Sequence, residues 1–316
     1  MSKLFFDKCI RNQFDTLPSG WAFYALLSDA GYLYAGYTAK LSRKLNFFQN
    51  KAEEGGLYGE MWAKAISVEY TIHPLGLDAL IHFKAFQAVH VPAYQHRLLP
   101  WENYAYLALD ANRYPFITVV EHTNDDWQYL GPFRSRFFLA DVLDTLSRIL
   151  KIPYCETGSY PCDKFDKDIC RGWCLSLATA QESGAEDGLE KLDALLKEAY
   201  LHPENGILEL VQKQRDSYFN DLEFTKAALL DDEIALLAMY RDWLNFLYVA
   251  KQLEFETDSV RVEGGRIVWC RYKNREYQFP VSATAFRANE SLALNLEAVD
   301  ESRIIYDFKV KHATQV

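Results

Sequence analysis

Four of the six cysteines, Cys155, Cys162, Cys170 and Cys174, fall in one stretch, IPYCETGSYPCDKFDKDICRGWC. The spacing is C-x6-C-x7-C-x3-C, punctuated by Gly158, Pro161 and Gly172. Such a segment is loop-rich and has little core of its own, so something other than apolar burial must tie it. Four thiolates can close a tetrahedral site around zinc or hold an iron–sulfur cluster. Redox or disulfide chemistry and unliganded structural cysteines are the competing readings. The start, MSKLFFDKCIRNQFD, is too broken by charge for a secretory signal, and no stretch is long and apolar enough to span a bilayer. A reducing, cytoplasmic setting is therefore expected, which favours bound metal over disulfides. Cys9 and Cys270 stand alone and read as ordinary buried small residues.

The chain has 316 residues, 49% of them hydrophobic, which is ample for ordered cores. Its formal net charge is −10, against tight binding of nucleic acid over the whole surface, although a local basic patch can still dominate. Along the chain, WAFYALLSDAGYLYAGY (21–37) predicts two strands about a Ser28–Gly31 turn. TAKLSRKLNFFQNKAE (38–53) predicts a helix with Leu41, Leu45 and Phe48 on its inner face. ISVEYTI (66–72) alternates like a strand, and 75–90 reads as a helix after Pro74. RYPFITVV (113–120) and WQYLG (127–131) suggest a hairpin, followed by a helix over 136–150. Residues 185–252 read as helical, and SVRVEGGRIVWCRY signals a hairpin at Gly264-Gly265. The expected class is α+β: a small α/β domain over 1–100, a linking hairpin, helix and four-cysteine segment over 101–180, a helical region over 181–252 and a small β module over 253–316.

Several short motifs occur in a telling order. Tyr24, the last residue of Ala22-Phe23-Tyr24, stands ten residues before Tyr34, the first of Tyr34-Ala35-Gly36; then come YPFI (114–117), YLGPF (129–133) and the cysteines. In this order the chain resembles the UvrC family, whose members open with a GIY-YIG nuclease domain. The C-x7-C-x3-C part of the cysteine spacing matches, while the first gap is shorter than in most of the family. DLEFTKAALLDDEI (221–234) resembles the family's UVR motif at Leu222, Phe224, Ala227, Ala228, Leu230, Asp232 and Ile234, with Thr225 and Asp231 replacing a glutamate and an arginine. The resemblance implies DNA as a partner, a four-iron, four-sulfur cluster on the cysteines, and a UvrB-like or other repair protein bound through 211–242. Four thiolates alone leave zinc as the alternative.

A metal-dependent phosphodiester cut needs an activated water, a carboxylate-held metal and positive charge on the phosphate. By resemblance, Tyr24 and Tyr34 fall on the tyrosines that support proton transfer, although packing aromatics in a small sheet would look the same. The phosphate-clamping arginine falls on Lys44, which keeps charge but loses the bidentate fork. The family lysine falls on Tyr37, the helix tyrosine on Phe48, and the metal-holding glutamate on Phe83, with Gln95 at the asparagine that follows. A phenyl ring cannot ligate Mg²⁺, so the magnesium site is expected to be lost. Asp78 and His82, four residues apart on one helix face, read as a solvated or capping pair rather than a relocated metal site. The expectation is a degenerate, non-catalytic nuclease domain with Tyr24, Tyr34 and Lys44 as its remnant site and Lys40, Arg43, Lys44 and Lys51 as a basic, DNA-facing patch. An active endonuclease with a rearranged site and a protein-binding scaffold are the alternatives.

Overall fold

A computed structural model describes residues 1–6, 13–123, 127–152, 163–175, 177, 187–203, 206–280 and 292–313. Helix and sheet are mixed, as an α+β class requires. The chain divides into two compact units, one of residues 1–102, 250–283 and 297–316, the other of 103–249 and 284–296.

In the first unit, β2 (Trp21–Ser28) and β3 (Gly31–Thr38) form the expected hairpin, with Tyr24 opposite Gly36 and Leu26 opposite Tyr34. Ser28 closes its turn: its Oγ accepts from Ala30 N–H at 3.2 Å and donates to Gly31 O at 3.1 Å. β1 (Ser2–Phe5) and β4 (Ser67–His73) complete an antiparallel sheet of order β1-β4-β2-β3, so β3 is an edge strand. Gly36 is fixed by close approach, since a Cβ there would lie 2.7 Å from the Tyr24 hydroxyl.

Alternation puts the two sets of strand side chains on opposite faces. Ala22, Tyr24, Leu26, Tyr34 and Val68 pack with Leu41, Leu45 and Phe48 of α1 (Leu41–Glu53) and with Met61 and Trp62 of α2 (Gly56–Lys64). Phe23, Ala25 and Ala35 face the other way, against Phe86 and Phe83 of α3 (Gly76–Gln87).

The tail of this unit is a second antiparallel sheet, β8 (Phe255–Glu256), β9 (Val260–Glu263), β10 (Arg266–Tyr272) and β11 (Arg275–Gln278), which pair in sequence order. Gly264 and Gly265 both take positive φ (55° and 72°) at the expected hairpin. The tail is not β alone: Val299–Ala313 forms a helix at the end of the described residues. Val260, Val262, Ile267 and Cys270 share one apolar core with Leu77, Leu80 and Ile81 of α3 and with Ile304 and Ile305 of that helix. Cys270 is accordingly buried, and burial pushes its thiol up to about 11.

The second unit corrects one sequence expectation. β6 (Ile117–Val120) and β7 (Gln128–Phe133) do not form a hairpin with each other; β5 (Ala105–Leu109) lies between them, in a sheet of order β12-β7-β5-β6, with β12 at Leu292–Ala293. All five residues of β5 are buried, so it carries no polar–apolar alternation to betray it. α4 (Arg136–Leu150) starts on a Ser135 cap that accepts from Phe138 N–H at 3.2 Å and buries Leu139, Val142, Leu146 and Leu150. After the short helix α5 (Asp163–Asp166) come α6 (Asp187–Leu201), α7 (Ile207–Asn220) and α8 (Phe224–Gln252). Trp243 of α8 donates to Pro132 O at 3.1 Å, and the buried Tyr240 donates to Tyr200 O at 2.7 Å. The helix at Val299–Ala313 is α9. Among the described residues no helix is long and apolar enough to cross a membrane.

Candidate functional site

The register of the β2–β3 hairpin puts Tyr24 and Tyr34 on one face, ring centroids 6.4 Å apart, with Phe48 of α1 6.2 Å from the first and 5.6 Å from the second. Both tyrosines are buried, and burial holds both phenols above their ordinary range. Lys44 lies one helical turn before Phe48 and sets its Nζ over the Phe47 and Phe48 rings at 4.8 Å and 4.9 Å. Burial lowers the Lys44 pKa, and the Asp300 carboxylate works against that lowering. The structure therefore gathers Tyr24, Tyr34 and Lys44 around Phe48. It does not gather the other basic residues there. Lys40 and Arg43 are exposed, and Lys51 is held by Glu54 at 2.8 Å.

On the α3 side the picture is apolar. Phe83 meets Tyr37 edge-on at 5.2 Å, and both belong to the core shared with the tail. His82 is buried, not solvated as its spacing from Asp78 suggested. Its ring stacks between Phe23 at 3.9 Å and Tyr272 at 4.5 Å, and its Nδ1 is 3.1 Å from His73 Nε2. Burial first, then the neighbouring His73 and Lys273, hold His82 down to about 3. Asp78 lies in the first turn of α3, where a carboxylate suits the helix dipole. Lys84 pairs with Glu301 of α9 at 2.7 Å, both nearly sealed from water, and Glu301 Oε1 also accepts Ile267 N–H at 2.8 Å.

Two flanking residues are structural. Gln95 Oε1 accepts Ala35 N–H at 3.0 Å and so ties the edge strand. Tyr94 donates to Glu60 at 2.6 Å, and its hydrogen bond together with that of Lys64 holds the Glu60 carboxyl down to about 2. Asp300, Glu301, Lys84 and His73 carry no sequence signal as a group, because they come from segments far apart in the chain.

The chain is similar to UvrABC system protein C. It is 24% identical over 221 residues to that protein of Ectopseudomonas mendocina (strain ymp), across 68% of this chain and 35% of the relative. For the protein of Francisella tularensis subsp. tularensis (strain FSC 198) the identity is 23% over 222 residues, with the same shares. The chain thus spans about a third (35%) of the length of these curated relatives. No protein-family model and no solved structure matches it.

Of the four clustered cysteines, Cys155 and Cys162 lie outside the described residues. Cys170 and Cys174 are both half-buried and unbridged, and Cys170 Sγ accepts Gly172 N–H at 3.2 Å. Among the described residues no group of three or more His, Cys, Asp or Glu is gathered as a metal site.

The helical hairpin of α7 and α8 turns at Asp221–Glu223, with Leu222 at φ +62°. Ala227 is buried, but Leu222, Phe224 and Leu229 are exposed, and Phe219 and Phe224 pack edge-on at 5.3 Å. Asp231, where the family motif has arginine, lies 3.5 Å from Arg215 across the hairpin.

Proposed function

We propose that this chain is a UvrC-like protein related to nucleotide excision repair, whose GIY-YIG-like domain no longer cuts DNA. One observation carries the reading: Phe83 and Tyr37, at the positions where the resemblance requires a metal carboxylate and a lysine, are packed against each other in an apolar core. Neither side chain offers a carboxylate oxygen to a divalent cation, and both pack half-buried against that core. The expected result is no nicking of supercoiled or lesion-bearing DNA with Mg²⁺ or Mn²⁺. Robust cutting that disappears in Tyr34→Phe or Lys44→Ala would favour the rearranged active nuclease instead.

The proposed roles that remain are binding ones. Of the basic patch, Lys40 and Arg43 stand ready for phosphate, whereas Lys44 is half-buried and Lys51 is engaged by Glu54. DNA affinity should fall steeply with salt, and Lys40→Ala with Arg43→Ala should flatten the salt slope by about 2. Lys44→Ala and Lys51→Ala should change it less, as read by fluorescence anisotropy across a salt series. The exposed tip residues Leu222 and Phe224 make the hairpin the surface for a UvrB-like or other repair protein.

Cys155, Cys162, Cys170 and Cys174 would hold a four-iron, four-sulfur cluster, with zinc as the alternative. Either centre would tie the loop-rich segment rather than do chemistry. Anaerobically purified protein should be brown and contain iron and acid-labile sulfide. Cys170→Ser should lose the centre and expose the segment to limited proteolysis. A colourless protein with stoichiometric zinc would decide for the alternative.

A further inference from the structure

Lys44 is held differently from other lysines of its unit. Lys3, Lys51, Lys64 and Lys84 each lie within ion-pair distance of a carboxylate. Among the described residues Lys44 makes no ion pair and no side-chain hydrogen bond. Its Nζ rests instead on the Phe47 and Phe48 rings, at 4.8 Å and 4.9 Å. The side chain is half-buried and Phe47 is 39% exposed, so the amine stands at a rim between protein and water. Burial lowers its pKa, and the Asp300 carboxylate only opposes that lowering. A partly dehydrated amine that gives up its proton readily is what nucleophilic lysines share. Lys40 and Arg43 are exposed beside it, and Lys44 N–H donates to Lys40 O at 3.1 Å, which sets the two lysines one helical turn apart.

We propose that Lys44 is a nucleophile for aldehydes, and that its substrate is the open-chain sugar of an abasic site in DNA. The proposal rests on the DNA-binding reading of Lys40 and Arg43, which would bring phosphates, and the sugar between them, to the start of α1. A sugar that has lost its base opens to an aldehyde at C1′. The free Nζ adds to that carbon, both amine hydrogens leave with the aldehyde oxygen as one water, and an Nζ–C1′ double bond remains. Protonation of the nitrogen gives an iminium cation, which the same two ring faces stabilise. The step needs no metal, so Phe83 does not stand in its way. It also gives the residue type a reason. An arginine, which the resemblance places at this position, never loses its proton and cannot form the imine, whereas a half-buried lysine can do both.

The test is reductive trapping with the full chain. A duplex carrying one abasic site is mixed with the protein and cyanoborohydride, which delivers hydride to the iminium and fixes the Nζ–C1′ bond as an amine. A covalent protein–DNA adduct should form, fail to form with the intact duplex, and map to Lys44 by peptide mass spectrometry. The adduct should fall at least about tenfold in Lys44→Arg, which keeps the charge and loses the nucleophile. Lys44→Met, which keeps a flexible chain over the rings, should do the same and controls for folding. In a second arm without DNA, glycolaldehyde and the same reductant should label Lys44 about fivefold faster than Lys40 at neutral pH. Labelling of Lys44 no faster than Lys40, or an abasic-site adduct that persists in Lys44→Arg, would overturn the proposal. An abasic duplex that is bound but not trapped, while glycolaldehyde labels Lys44 preferentially, would overturn the abasic site as substrate. If neither duplex binds, the DNA-binding reading falls and takes that substrate with it, while the glycolaldehyde arm still decides the nucleophile.

Discussion

Glu301→Ala should cost the first unit about 3–5 kcal/mol, the range for breaking one side of a buried ion pair. The Glu301 side chain is 6% exposed and that of Lys84 13%, so neither charge can turn to water once its partner is gone. The same carboxylate also satisfies Ile267 N–H, and a buried donor left without an acceptor adds its own desolvation cost. Glu301→Gln should recover part of the loss, because an amide oxygen can still accept from Ile267 while the Lys84 charge stays uncompensated. Lys84→Met with Glu301→Gln should be less damaging than Glu301→Ala alone, since it removes the orphaned ammonium and keeps the backbone hydrogen bond. Urea unfolding of the four proteins, followed by tryptophan fluorescence, checks the order. If Glu301→Ala proved as stable as the wild type, the tail would not be anchored to α3 through this pair.

How far the sequence goes is clearest at such contacts. Leu41, Leu45 and Phe48 announce α1 by helical spacing, and all three are buried. Tyr24, Tyr34 and Gly264-Gly265 likewise stand on the strands and turn that their patterns imply. Local periodicity and turn chemistry are enough for those. β5 was invisible because a strand buried on both faces has no alternation, and the hairpin expected of β6 and β7 was wrong for the same reason. The helix of the tail is equally hidden. In VDESRIIYDFKVKHA, Ile304 and Ile305 stand side by side while Tyr306, Phe308 and Val310 alternate with charged residues, which reads neither as a clear helix face nor as a strand. His82 shows the limit for a single residue. Its spacing from Asp78 was legible, but its burial depends on Phe23, Tyr272 and His73, which come from three separate strands. The seating of the tail on α3 has the same character, since alternation says that one face of a hairpin is buried and not against what.

That buried histidine should make the first unit acid-sensitive. His82 is held at about 3 in the folded protein, against an ordinary value of 6.5 once unfolded. Above pH 6.5 both states are neutral and the group contributes no penalty. Between these values the unfolded chain takes up a proton that the folded chain refuses, so stability falls as pH falls, by about 1.4 kcal/mol per unit at full effect. The slope should flatten again as pH approaches the folded value. The surroundings all oppose the proton: His73 at 3.1 Å, Lys273 and the N-terminal amine are cationic or become so, and Phe23 and Tyr272 cover the ring faces. His73 is itself lowered by burial, although Asp78 partly offsets this, so its share should be smaller. Carboxylates elsewhere also weaken the fold in acid, and the comparison must isolate the histidine. His82→Phe keeps an aromatic ring between Phe23 and Tyr272 and removes the titration. Urea midpoints measured in half-unit steps from pH 7.5 to about 4 should show a shallower decline for His82→Phe than for the wild type, the two curves diverging below about pH 6.5. Parallel curves would mean that the folded protein accepts the proton, and that His82 is not sealed under Tyr272.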